Sequence, residues 1–513
     1  MARWPRPVTL LSVGAATLVV ALTVGAVIPL MLSAEGAGRL VAADWAILRF
    51  TLFQAALSAA LCTLAAIPLA RALARRDFPG RSLVLTLLGA PFLVPVIVAV
   101  LGLLSVWGRA GWVSEITGAT LDIYGLTGIL MAHVFFNLPL VTRMLLTGWA
   151  GVPPEHLRLA TQLGFTPRDI YTHIERPILR EVLPGAALLV FLICLTSFSV
   201  ALTLGGGPRA TTIELAIYQA LRFEFDLSRA ALLSLMQLGL ALTVALILLA
   251  SGQRGAGGFG LSLRPQSIPK PRNPWIDRAA ITAALAFLGL PMLGLISLGI
   301  PGMPDLPDAT LNAALRSIGV SIAATLISCS LALAIAGGVA THRGRAALLG
   351  EGLVLIGLTA SPLVIGTALF IAIRDFIDPF AFALPLTALV NATLGVPFAL
   401  RILLPEVDRV IRTRGPLAQS LGLSRRLWLR RVLLPGIRRG LGLALGLVAA
   451  FAMGDLGIIA LFGSTETETL PLLMFGLMGS FRTDAAQATG LILVLLTLTI
   501  FAIFDTWGRR AQH

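Results

Sequence analysis

Asp455 stands inside a long run of apolar residues, in the string GDLG at 454–457. A carboxylate in a membrane-spanning segment is expensive unless it faces a water-filled cavity or a partner, so it marks a functional site by default. The flanking glycines let a helix deform there, which leaves two roles open. The acid either faces a transport path, or it caps a broken helix or pairs with an arginine near a span end. Ser197 and Ser199 occupy the corresponding stretch earlier in the chain, where their hydroxyls either line the same path or satisfy backbone groups within a bundle.

Other chemistry is excluded by what the sequence lacks. A phosphate-binding GxxxxGK[ST] loop is impossible, because the sole lysine, Lys270, is followed by Pro271. The five histidines (His133, His156, His173, His342, His513) form no HExxH, and no GxSxG nucleophile elbow occurs, so no catalytic residue and no metal site is expected. His133, within an apolar run, reads as a hydrogen-bonded packing residue. Cys62, Cys194 and Cys329 sit singly in apolar runs, outside any disulfide framework or metal-binding spacing. No cofactor is implied. Energy for any transport must come from a separate ATPase or from an ion gradient.

The elements that must position these residues are membrane spans. Only 12% of the 513 residues are charged and 57% are hydrophobic, against roughly 25% charged in soluble domains. That excludes an ordinary soluble enzyme. Apolar windows between charge clusters predict an all-α polytopic membrane protein of about twelve transmembrane helices, near 8–32, 46–70, 82–106, 123–148, 184–204, 230–251, 279–300, 310–340, 348–373, 380–404, 437–463 and 485–507. The net charge of +14 invites a nucleic-acid reading, yet the basic residues collect in alternate loops. One set of loops holds 30 Lys and Arg, the other nine, and the acids run the opposite way, 10 against 14. By the positive-inside rule both termini are cytoplasmic, and the charge implies lipid contact rather than nucleic acid.

The chain also repeats itself. At a constant offset of 258, Pro139 matches Pro397, Arg143 matches Arg401, Ala160 matches Ala418, Gly164 matches Gly422, Pro177 matches Pro435 and Gly205 matches Gly463. The Gly-, Pro- and Arg-rich stretch 252–278 reads as a cytoplasmic linker between a first transmembrane half, 1–251, and a second, 279–513. Six spans per half, an even number, make the halves parallel repeats related by an axis along the membrane normal, with a pathway between them.

The two long basic loops carry the most informative pattern, LATQLGFTPRDIYTHIERPIL and LAQSLGLSRRLWLRRVLLPGI. Each has an Ala (Ala160, Ala418), a Gly four residues on (Gly164, Gly422), an aliphatic residue ten further (Ile174, Val432) and a Pro thirteen beyond the Gly (Pro177, Pro435). Two short helices joined at the Gly, then a turn at the Pro into the next span, suit this spacing. Such a helix across the cytoplasmic face is a rigid knob for another protein; an amphipathic helix lying on lipid is the blander reading.

The pattern A-x3-G-x9-aliphatic-x2-P resembles the EAA motif of permease subunits of bacterial ATP-binding-cassette importers, where it forms the coupling helix seated in the ATPase. Arg158 and Pro416 stand at the Glu position, and Leu159 and Leu417 at the first Ala. Within that family, LTLGGGPRATTIELAIYQAL at 202–221 and GDLGIIALFGSTETETLPLLMF at 454–475 are most similar to the members that import thiamine and its phosphates.

The resemblance implies a multi-pass inner-membrane permease, not an enzyme, served by two copies of a cytoplasmic ATPase and a periplasmic substrate-binding protein. It makes Ala160, Gly164, Ile174, Pro177, Ala418, Gly422, Val432 and Pro435 the coupling residues. The substrate is then a small cation, and Asp455 complements its charge. Ser197, Ser199, Glu214 and Tyr218 join Asp455 as candidate pathway contacts, and Glu214, Glu224, Asp226, Glu466, Glu468 and Asp484 make the outer side acidic. A ferric-iron importer permease and a gradient-driven secondary transporter are the alternatives.

Overall fold

The computed structural model describes residues 6–510 apart from 35–39, 90–92, 120–121, 251–273, 342–351 and 353–360. Every regular element among the described residues is helical. The first repeat comprises α1 (Arg6–Thr23), α2 (Val27–Ala34), α3 (Ala42–Arg75), α4 (Arg81–Leu87), α5 (Val96–Trp107), α6 (Trp112–Thr117) and α7 (Leu126–Ala150). It continues with α8 (Pro154–Gln162), α9 (Pro167–Ile170), α10 (Arg176–Leu195), α11 (Phe198–Leu204), α12 (Ile213–Arg222) and α13 (Leu227–Ala250). The second repeat comprises α14 (Pro274–Gly299), α15 (Ala309–Thr341), α16 (Pro362–Ile373), α17 (Ala383–Ser420), α18 (Arg425–Trp428), α19 (Leu434–Met453), α20 (Gly457–Phe462), α21 (Leu470–Gly479) and α22 (Thr483–Arg509).

Eleven of these segments are long and apolar enough to cross a membrane. The expected ninth span, 348–373, falls largely outside the described residues, and its described end is α16. The expected linker 252–278 also lies outside them up to residue 273; α14 begins at Pro274.

Four expected spans are interrupted. The first breaks between α1 and α2. The third, expected at 82–106, is split into α4 and α5, because Pro95 caps α5 and has no N–H with which to continue a helix from before it. The fifth and eleventh break near their ends, between α10 and α11 and between α19 and α20, at positions 258 residues apart.

In lipid the apolar effect does not drive helices together, so close approach through small side chains does. Ala55, Ala59, Cys62 and Ala66 on α3, and Ala324, Ala332 and Ala336 on α15, are buried in this way. Within the repeats α3 packs on α7 and α10, and α15 on α17 and α19. The first helices cross over: α1 packs on α15 of the second repeat, and α14 packs on α3 and α5 of the first. The repeats are thereby clasped, and the broken ends of α10 and α19 share one central space.

Matched hydrogen bonds fix the far end of each repeat. Thr51 on α3 accepts from the backbone N–H of Ile213 at 3.0 Å, and Ser317 on α15 accepts from that of Leu470 at 2.8 Å. They tether the starts of α12 and α21.

Candidate functional site

A cavity of about 360 Å³ lies between the repeats at the two breaks. In the first repeat α10 ends at Leu195, and Ser197 is extended before α11 begins. In the second, Gly454 ends α19, and the Asp455 carboxylate accepts from the backbone N–H groups of Gly457 and Ile458, each at 3.2 Å, at the start of α20. Capping and cavity lining are therefore not alternatives for Asp455. The carboxylate does both, and its charge is partly offset by the orphan N–H groups of the short helix.

Ser197 and Ser199 line the same cavity. Glu214 and Tyr218 do not. Both are buried on α12, where Glu214 accepts a 2.7 Å hydrogen bond from the Ser361 hydroxyl and burial pushes its carboxyl up to about 8. Tyr218 packs against Phe198 and Phe223, with ring centroids 5.3 and 5.6 Å away.

Several lining residues were not singled out as contacts from the sequence. His133, Phe136, Asn137 and Leu140 descend one face of α7, while Phe398 and Arg401 come from α17 and Phe451 from α19. The signal was present as the i, i+3, i+4, i+7 spacing from His133, which places one stripe of mixed polarity on a single helix face. His133 and Asn137 are also packing groups: Ser58 Oγ lies 2.9 Å from His133 Nδ1, and Asn137 Nδ2 donates to the His133 carbonyl at 2.9 Å.

At the basic end of the bundle the two loops of the repeat form matching structures. Gly164 and Gly422 adopt left-handed φ of +68° and +61° with open space around them. Phe165 N–H bonds back to the Ala160 carbonyl and Leu423 N–H to the Ala418 carbonyl, both at 3.0 Å, while Gly164 and Gly422 donate to Thr161 and Gln419. This is the Schellman closure of a helix, which a residue without Cβ makes without strain. Ala160 and Ala418 are buried beneath it. Leu159 and Leu163 are 53% and 64% exposed, and their counterparts Leu417 and Leu421 are 63% and 65% exposed. Two apolar knobs thus face the same end of the molecule.

The loops depart from the expected geometry in two respects. The chain does not turn at Pro177 or Pro435: one π-helical turn, Tyr171–Glu175 or Leu429–Leu433, carries it straight into α10 or α19, with each proline just after that turn. A separate short helix also exists only in the first repeat, where Gly151–Pro153 separates α7 from α8. The positions 258 residues on hold Arg409–Ile411, and α17 runs unbroken through 38 residues to Ser420.

Comparison with known proteins gives relatives along nearly the whole chain. The thiamine transport system permease protein of Brucella abortus (strain 2308) is 41% identical over 94% of this chain and 92% of its own. Proteins of the same name from Salmonella typhimurium and Escherichia coli (strain K12) are each 36% identical, over 97% and 90% of this chain and 96% and 88% of their own. No family model matches.

Proposed function

The chain belongs to the family of thiamine transport system permeases, and on that premise we propose that it forms the translocation path of an ATP-driven importer for thiamine and its phosphate esters. It is a multi-pass inner-membrane transport permease, not an enzyme. Two copies of a cytoplasmic ATPase seat the knobs at 158–177 and 416–435, close on ATP and swing the repeats about the central cavity. A periplasmic binding protein delivers substrate at the opposite end. Both termini are cytoplasmic, and the basic stretch 252–278 links halves 1–251 and 279–513.

The observation that carries this reading is the pair of Schellman-closed loops, which raise exposed leucines at one end of the bundle and run without a turn into α10 and α19. A push on either loop is transmitted along a rigid helix to the cavity. Ala160, Gly164, Ala418 and Gly422 shape the knob; Ile174, Pro177, Val432 and Pro435 join it to the broken helix. At the cavity, Asp455 meets the permanent positive charge of the thiazolium, and Ser197 and Ser199 offer hydroxyls opposite. Glu214 and Tyr218 act behind the lining, by positioning α12 and α11. The three relatives named above, thiamine transport permeases matched along nearly the whole chain, do not favour iron import or gradient-driven transport.

Co-purification from native membranes followed by an ATPase assay tests the proposal. A nucleotide-hydrolysing partner stimulated by thiamine-loaded periplasmic extract is the expected result. Recovery of the chain alone, with uptake that follows a proton or sodium gradient, contradicts it.

A further inference from the structure

The cavity carries charges of both signs. Asp455 lies at the break after α19, and Arg401 of α17 lines the same space. The two helices run antiparallel, with Gly440 packed on the Glu406 side chain and Gly395 on Val448. That register sets Arg401 near the level of Ala444, about ten residues or roughly 15 Å of helix from Asp455 towards the basic end. Asp455 spends its carboxylate on the N–H groups of Gly457 and Ile458, so the two charges stand apart.

An arginine at membrane depth is expensive and marks a substrate path by default. Its repeat counterpart shows what a structural role looks like. Arg143, 258 residues earlier, donates from Nη2 to the Leu85 carbonyl at 2.9 Å and is outside the lining. Arg401 is only half-buried. A guanidinium carries five N–H donors in a fixed fork, so it can take two oxygens of an anion as well as a bond within the bundle. His133, by contrast, is a packing group: it is 3% exposed, Ser58 occupies its Nδ1, and its Nε2, without a hydrogen-bond partner among the described residues, is itself buried.

A cavity with a carboxylate towards one end and a guanidinium towards the other fits a solute that is itself dipolar. We propose that Arg401 receives the phosphate of thiamine phosphate esters and sets the preference of the permease for the esters over free thiamine. The thiazolium then lies towards Asp455 and the phosphate towards the basic end. Free thiamine, a cation alone, meets the carboxylate and brings nothing to the guanidinium. The inference rests on the thiamine reading above and adds to it the residue that separates the phosphorylated substrates from the free one.

The test is equilibrium competition against radiolabelled thiamine bound to the permease, co-purified with its ATPase, in nanodiscs without binding protein or nucleotide. Unlabelled thiamine, thiamine monophosphate, thiamine diphosphate and inorganic phosphate are the competitors. The wild type is expected to bind at least one ester about tenfold or more tighter than thiamine, the worth of a charge-assisted hydrogen bond. Inorganic phosphate should not displace the label. Arg401→Gln should bring the ratio of ester to thiamine affinity close to one and leave the Kd of thiamine unchanged. Arg401→Lys, which keeps the charge without the fork, should retain part of the preference, and Arg143→Gln all of it.

A wild-type ratio near one, a wild-type ratio kept in Arg401→Gln, or an equal loss in Arg143→Gln overturns the inference. Displacement by inorganic phosphate as effective as that by the esters does the same. Loss of thiamine and ester binding alike in both Arg401 variants makes the residue a structural one and also overturns it. In each of these cases ATP-dependent thiamine uptake by the wild-type complex shows that the functional reading survives. Absence of both thiamine binding and thiamine uptake in the wild type overturns this proposal and the functional reading together.

Discussion

At 171–175 and 429–433 the chain makes the same π-helical turn, yet it is held in two different ways. In the first repeat Glu175, 1% exposed, takes ion pairs from Arg71 at 2.8 Å and from Arg75, both on α3, and Arg71 also lies over the Tyr171 ring. In the second repeat the matching residue is Leu433, buried in an apolar cluster with Trp428 and Ile437. The first loop has a separate helix α8 and a π-helical turn pinned to α3 by charge, and the second has the unbroken α17 and a turn seated in apolar packing. Equal backbone geometry therefore rests on unlike interactions, and the repeats should respond unequally to the same perturbation.

The largest effect is expected from removing the pin. Glu175→Ala leaves Arg71 and Arg75 without their common partner, and breaking a buried pair costs about 3–5 kcal/mol. Thermal unfolding of the purified protein should show a clear fall in Tm, reduced at high salt much less than a surface pair would be. An unchanged Tm would mean that the turn at 171–175 is held by packing alone, like its counterpart at 429–433.

Next come the loop glycines. Gly164→Leu and Gly422→Leu each force a side chain into left-handed backbone at about 1–2 kcal/mol. ATPase co-purification should fall more for Gly164→Leu, because α8 is tethered by a short connection while α17 is braced along its length. Equal losses would remove the distinction between the two loops.

The cavity is tested by exchange. Asp455→Asn should lower thiamine uptake roughly tenfold, about 1.4 kcal/mol of lost charge complementarity. Asp455→Ser combined with Ser197→Asp moves the carboxylate to the other break and should recover part of that loss. No recovery would mean that the Phe398 and Phe451 side is needed with the acid.

The smallest and most equal effects belong to the bonds that the repeats share. Thr51→Ala and Ser317→Ala each remove a hydrogen bond to the start of α12 or α21, worth about 0.5–1.5 kcal/mol. Their shifts in Tm should agree with one another, whereas Glu175→Ala and Leu433→Ala, measured at high salt, should not.

Much of this was legible in the sequence because it depends on period and on residue type. Long apolar runs, alternate basic loops and the offset of 258 describe the bundle and its repeat, and Gly164 and Gly422 mark left-handed caps that only a residue without Cβ adopts easily. The interruption of a hydrophobic segment is harder to read. The break after Leu195 contains no glycine or proline, and a hydropathy window passes through it as through a continuous helix. The ion pairs of Glu175 reach 100 residues back to α3, a separation on which local pattern is silent. Glu214 sits among charged loop residues in the sequence, and only tertiary packing reveals that α12 folds inward and buries it. His133 was visible as a polar residue in a span, but the unused nitrogen emerges only once Ser58 is placed beside its other edge.

The most direct measurement is uptake of labelled thiamine by proteoliposomes that contain the permease and its co-purified ATPase, with binding protein outside and ATP inside. Accumulation that requires ATP, and that is lost in the Gly164→Leu, Gly422→Leu double variant, is the predicted result. Accumulation that proceeds without nucleotide, driven by an imposed ion gradient and indifferent to the two glycines, would contradict the account.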